Sequence, residues 1–336
     1  ATAASELAVP IVKEFDISLK PERSSLKEVY EFILEDIDRA KTLLAGKSGV
    51  PMSIKFNKDV VTALEARVKL YMKDWPGAYN AATSLINSNV YPLESTPEGM
   101  SSLWVNDESK EIIFQIFVNK PSEMPNANGI YLGLNATTGK YTPDFVPTKW
   151  LVEMYDEADI RKNVYFDNSK TLFIQGYDYN DIYLVTKFKG NPDLFTAATT
   201  NYMHAPKVFR IAEMYLIAAE AAAMQPSKDA DALTALNELR TKRGLEAVNV
   251  SGAALMQEIK DERLRELAFE GFRLFDLKRW GEGFERKDPQ NIDILTPGPD
   301  YYTKSVSAND NKFVWGLPAR DITNNPNLKG QQNPGW

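Results

Sequence analysis

Two stretches of this chain share a plan that sharply restricts the folds open to it. Residues 57–88, NKDVVTALEARVKLYMKDWPGAYNAATSLINS, read as a helix capped by Asn57, broken at KDWPG and restarted at the proline. Residues 209–244, FRIAEMYLIAAEAAAMQPSKDADALTALNELRTKRG, repeat the plan with an Ala-rich first helix, a short proline-bearing turn and a second helix ended by Gly244. In both, small side chains in the first helix let another helix approach closely. Each spans roughly the ~34 residues of a tetratricopeptide-type unit. Ordinary antiparallel helices without repeat ancestry would give the same pattern.

Ahead of the first hairpin, residues 24–45 carry apolar side chains at helical spacing, with Ser24 or Ser25 as the start signal. Between the hairpins the pattern changes. EIIFQIFV (111–118) reads as a short strand, residues 119–143 form a polar loop rich in Asn, Gly and Pro, and residues 171–189 mix strand-like runs with QGYDYNDIY. Long loops inside compact domains tend to carry function. The expected fold is mainly α: tetratricopeptide-like hairpins packed against long irregular loops with a few short strands. One domain is expected over residues 1–336, with helical hairpins at about 24–88 and 209–280, a loop-rich ligand face at about 100–205 and an irregular C-terminal segment at 284–336.

A formal net charge of -7 works against long-range attraction to phosphate backbones, so no nucleic-acid partner is expected. No cysteine occurs, which removes thiol nucleophiles and Cys-ligated metals, and the lone histidine, His204, has no second imidazole beside it and reads as a loop or surface residue. Neither a phosphate-binding loop nor a dinucleotide fingerprint is present. No cofactor, metal site or catalytic residue is expected.

The stretch RLRELAFEGFRLFDLKRWG (263–281) threads eight charges through large apolar residues. On a helical wheel Leu264, Leu267, Gly271, Phe272, Leu274 and Phe275 share one side, and Arg263, Glu266, Glu270 and Arg273 fall mainly on the other. Because Phe269 and Trp280 sit among the charges, the helix is expected to be covered on both sides. Its charges would then be paired, with Arg210, Glu213 and Glu220 as partners. Glu266 and Glu270 could divide the roles of acid and base in a glycosidase. An ion-pair lattice is the plainer reading of carboxylates one turn apart among arginines.

In order along the chain, RIAEMYLIAAEA, LNELRTKRGL, IKDERLRELAFEGFRLFDLKRWG and VWGLPARDITNNPNLKGQQNPGW resemble the C-terminal half of the SusD/RagB family of outer-membrane nutrient-binding lipoproteins. AVPIVKEFD and ALEARVKLYMKDWPGAYNAATSLINSNVYPL resemble that family's middle portion. The resemblance implies a SusD-like fold whose irregular loops form the ligand surface. It also implies a nutrient glycan or a peptide as ligand, a SusC-like TonB-dependent transporter as partner, and a cell-surface location at the outer membrane. Membrane attachment would come only through a lipid on an N-terminal cysteine. The part of the family pattern that precedes VPIVKEF, with signal peptide, lipidated cysteine and first helices, is absent from these residues and is expected upstream of them or removed. A helical-repeat interaction scaffold without a small ligand is the alternative.

A glycan site needs aromatic platforms for apolar sugar faces beside amides or carboxylates for the hydroxyls. NANGIYLGLNATTGKY offers Asn128, Tyr131, Asn135 and Tyr141, and YDYNDIY offers Tyr177, Tyr179 and Asp181. Trp104, Trp150, Trp280 and Trp336 stand in framework-like segments, and Trp104 and Trp150 read as core.

Overall fold

The computed structural model describes residues 6–119, 129–196, 200–295 and 304–336. Helix α1 (Leu26–Leu43) starts at Ser25, whose hydroxyl and the Glu28 carboxylate satisfy each other's backbone amides. The first hairpin is α2 (Lys58–Met72) and α3 (Trp75–Ile86). Asn57 accepts from the amides of Asp59 and Val60 at 3.0 Å. Lys73, in the left-handed region at φ 60°, and Asp74 make the whole break, with Pro76 in the first turn of α3.

After α4 (Pro97–Ser101) and a π-helical turn at Ser102–Asn106, β1 (Ile112–Gln115) is shorter than the expected strand. Next come α5 (Lys149–Glu153), α6 (Lys162–Tyr165), β2 (Phe166–Asp167), β3 (Leu172–Ile174), β4 (Tyr177–Tyr179) and β5 (Leu184–Val185). β2 pairs with β5, β3 with β4, and β1 with β6 (Lys207–Arg210), all antiparallel.

The second hairpin, α7 (Ile211–Ala223) and α8 (Asp229–Lys242), is followed by α9 (Gly252–Glu266) and α10 (Arg273–Trp280). The short pair β7 (Phe284–Glu285) and β8 (Ser305–Val306) and helix α11 (Ala319–Asn324) complete the order. Ala63, Ala66, Ala78 and Ala82 meet Ala218 and Ala221 in one buried cluster, so α7 lies close against α2 and α3 and the two hairpins stack. Gly244 ends the second hairpin at φ 84°, where a Cβ would stand 2.3 Å from the Ala158 carbonyl oxygen.

The charged stretch is not one helix. α9 stops at Glu266, the chain turns through Phe269 (φ 66°) and Gly271 (φ 85°), and α10 starts at Arg273. That turn undoes the wheel. Leu274 and Phe275 are exposed, whereas Arg263 and Glu266, assigned to the polar side, are buried. They are tolerated because the covered side of α9 faces other charges.

Glu266 accepts from Arg161 at 2.9 Å, from Arg210 at 2.8 Å and from Arg243 at 2.9 and 3.0 Å. Burial alone would push its carboxyl up, but Arg243, Arg210 and Arg161 more than offset this and hold it well below the usual carboxylate range. Arg210 also bonds Glu111 and Glu270, and Arg279 pairs with Glu220, as two of the three expected partners require. Glu213 departs from the expectation, being held by Arg67 of α2 at 2.7 and 2.6 Å.

Trp104 is buried as expected, but Trp150 is 41% exposed because it opens α5 on the rim of a cavity. The irregular C-terminal segment is tied to the N-terminal one. The Arg23 guanidinium donates to the carbonyls of Leu7, Ala8 and Gln331 and to Asn333, while Asn325 and Asn327 donate to the carbonyls of Pro21 and Lys20. Among the described residues no helix is long and apolar enough to cross a membrane.

Candidate ligand-binding face

Residues 129–148 form a loop that is pinned at several points. Gly133 (φ 58°) stands so close to Thr142 that a Cβ would meet the Thr142 carbonyl oxygen at 2.3 Å. Asn135 turns its side-chain oxygen to the amides of Thr137 and Thr138, closing a turn that Lys140 completes with its carbonyl. Tyr141 then joins β3, giving its amide to the Thr171 carbonyl at 3.0 Å and accepting from the Phe173 amide at 2.8 Å. Lys140 reaches Asp178 of β4 at 2.7 Å.

Behind this loop stands an aromatic wall. The Phe188 ring stacks on His204 at 5.1 Å and on Tyr131 at 6.1 Å, and Tyr131 meets Phe269 edge-on at 5.4 Å. Burial pushes the His204 imidazole down, and its Nδ1 lies 3.1 Å from the Tyr202 carbonyl oxygen. A neutral ring facing apolar neighbours suits a stacking surface.

Phe188 is held from the interior by its neighbour Lys187. That ammonium lies 4.1 Å from both the Trp104 and Tyr165 rings and donates to the Ala268 carbonyl at 2.9 Å and to Glu270 at 2.8 Å. Burial pushes its pKa down to about 8.

Four concavities run around the loop. A cavity of about 310 Å³ is walled by Tyr131, Phe188, Tyr202, His204 and Phe269. On one side it shares Leu132 and Tyr202 with a cavity of about 400 Å³ that Tyr141 lines. On the other it shares Tyr131 and Phe269 with one of about 490 Å³ bordered by Trp150. Thr148 joins that one to a fourth of about 790 Å³. A row of aromatic-lined hollows matches what stacking on sugar rings demands.

Comparison with known proteins adds family membership. The SusD family model matches residues 136–336, more than half of the chain. The chain belongs to the SusD family. A SusD-like protein, P38, of Formosa agariphila is 26% identical across 94% of this chain, which spans 66% of that protein's length. A SusD superfamily structure from Bacteroides thetaiotaomicron superposes with a TM-score of 0.78 at 25% identity, covering 98% of this chain and 72% of the other. A structure described as a laminarin-binding SusD-like protein gives 0.67 at 21% identity, covering 98% and 74%, a likeness of fold alone.

In this SusD-family chain the residues singled out from sequence have different placements. Tyr131 stands between two cavities and Tyr141 lines a third. Asn135 spends its side-chain oxygen on its own turn. Tyr177 is exposed at the β3–β4 turn, Tyr179 directs its hydroxyl to the Asp293 carbonyl at 3.3 Å, and Asp181 is exposed at φ 58°. None of these three lines the four cavities. Asn128 lies outside the described residues.

Sequence reading missed Phe188, Tyr202, His204 and Phe269. His204 is in a loop as expected, yet its ring is packed rather than free. The one available signal was Phe269, a large aromatic set among charges.

Proposed function

We propose that this SusD-family protein binds a nutrient glycan on the face around residues 129–148, without chemical conversion. The observation that carries the reading is the stacked row Tyr131, Phe188 and His204, with Phe269 against Tyr131, lining a hollow that is open to solvent. Flat apolar faces there suit the C–H faces of sugars, and nearby hydroxyls and amides suit their perimeter. Family membership and the laminarin-binding relative of the same fold support a glycan over other small ligands. The carboxylates Glu266 and Glu270 point into arginines and a lysine rather than toward a ligand, which argues against a hydrolytic pair.

The family also supports a working context. The protein would sit at the outer surface of an outer membrane, lipid-anchored through a segment preceding these residues. It would pass its glycan to a SusC-like TonB-dependent transporter. Calorimetric titration with a panel of polysaccharides that includes laminarin tests the binding, with Tyr131→Ala as control. Heat of binding that Tyr131→Ala abolishes is the expected result, and absence of binding across the panel would sink the reading.

A further inference from the structure

We infer that the glycan is acidic, a carboxylated or sulfated chain lying along the four adjoining cavities. This rests on the glycan-binding reading above and adds the charge and length of the ligand. The basis is where the charges sit. The cavity beside Tyr141 is lined by Lys170, Lys189 and Asp167. The one beside Trp150 has Arg263, Arg273 and Asp276, and the fourth has Arg286, Lys287 and Asp144. Two bases to one acid recur in each, six against three along the row, in a chain whose totals are 39 bases to 46 acids. The groove therefore reverses the sign of the whole molecule.

The acids present are already engaged in two of the three cavities. Asp167 accepts from the Ser169 amide and lies 3.5 Å from Lys170. Asp276 is shared between Arg263 at 2.7 Å and Arg279 at 3.0 Å. Lys189 and Arg273 have no acidic partner among the described residues, whereas buried Arg263 is committed to Asp276. Lys189 and Arg273 are exposed, and as cations without an acidic partner they raise the concentration of anions at the cavity mouths. The middle cavity, walled by Tyr131, Phe188 and His204, carries none of these charges and stacks a sugar ring.

Shared lining residues make the cavities neighbours along one face: Leu132 and Tyr202, then Tyr131 and Phe269, then Thr148. A ligand using all of them is an extended chain with an acidic group recurring along it. Nucleic acid would also offer recurring anions, but the net charge of -7 repels so dense a polyanion from a distance.

The test uses matched pairs: laminarin with laminarin sulfate, polygalacturonate with its methyl ester, and xylan with glucuronoxylan, plus oligo(dT). Titrations run at low and high sodium chloride on the wild type, Lys189→Gln, Arg273→Gln and Tyr131→Ala. Tighter binding of the acidic member of a pair is expected, weakened by salt and by about two- to fivefold in each charge variant. Longer oligosaccharides should bind more tightly than short ones. The pair that binds identifies carboxylate or sulfate. Neutral members binding as well as acidic ones, with Tyr131→Ala abolishing both, would overturn the inference and leave the glycan reading standing. Acidic binding untouched by either charge variant, or a preference for oligo(dT), would also overturn it. Failure of every polysaccharide removes both readings.

Discussion

Arg210 donates a 2.8 Å hydrogen bond to Glu266 with both side chains buried, and this contact ties the end of β6 to the end of α9. Arg161, at the start of α6, and Arg243, at the end of α8, reach the same carboxylate, so one acid holds four separate segments. Such a lattice contributes less through net attraction than through what its disruption exposes.

Glu266→Gln should therefore lower stability by about 3–5 kcal/mol, since three buried guanidiniums lose their shared anion. Denaturant melts at neutral pH measure it. The depressed carboxyl makes its contribution above the ordinary carboxylate range, and that contribution is lost as pH falls through the lower folded-state value. Wild type and variant should converge in acid.

Lys187 gives a dependence of the same sign in an alkaline window. Its folded pKa of about 8 lies below the ordinary 10.5, so the unfolded chain binds more protons between those values and stability rises with pH across that window. Relative to Lys187→Met, the wild type should gain about 3 kcal/mol from pH 8 to pH 10.5. Parallel melts across that range check it, and a constant difference between the two proteins would contradict it.

Tyr131→Ala should weaken glycan binding at least about tenfold, because it strips the stacked face between two cavities. Its ring lies on a surface loop, so the melting temperature should change by only about 2 °C. Calorimetry and thermal melts on one preparation separate the two effects.

Arg23→Ala should loosen the clasp between residues 6–25 and the C-terminal segment, removing four side-chain hydrogen bonds. Hydrogen exchange should rise in both segments while the stacked hairpins stay protected.

The hairpins were readable because their signals are local: Asn57, the two-residue break before Pro76, the alanines and Gly244 each act through the backbone beside them. The interruption after Glu266 was not, since a helical wheel assumes continuity and Phe269 adopts its left-handed conformation wedged between Tyr131 and Phe166. Trp150 carries no mark separating rim from interior. The aromatic wall brings together residues 131, 188, 204 and 269 from four irregular or turning segments, where no periodicity announces a shared face. Tyr177 and Tyr179 had the right chemistry, but neither lines the four cavities, although Phe173, Ile174 and Gln175 of the same hairpin line one of them.

Phe188 is one peptide bond from Lys187, and Phe269 is one from Ala268, whose carbonyl receives the Lys187 ammonium. The rear of the proposed binding face is thus poured in the same casting as the molecule's interior, while Tyr131 and its loop are bolted on in front. On the proposed reading, a change confined to that front plate would alter what is bound without recasting the frame. Replacing residues 129–148 with a relative's loop is then expected to change the ligand and leave the melting temperature of the frame in place.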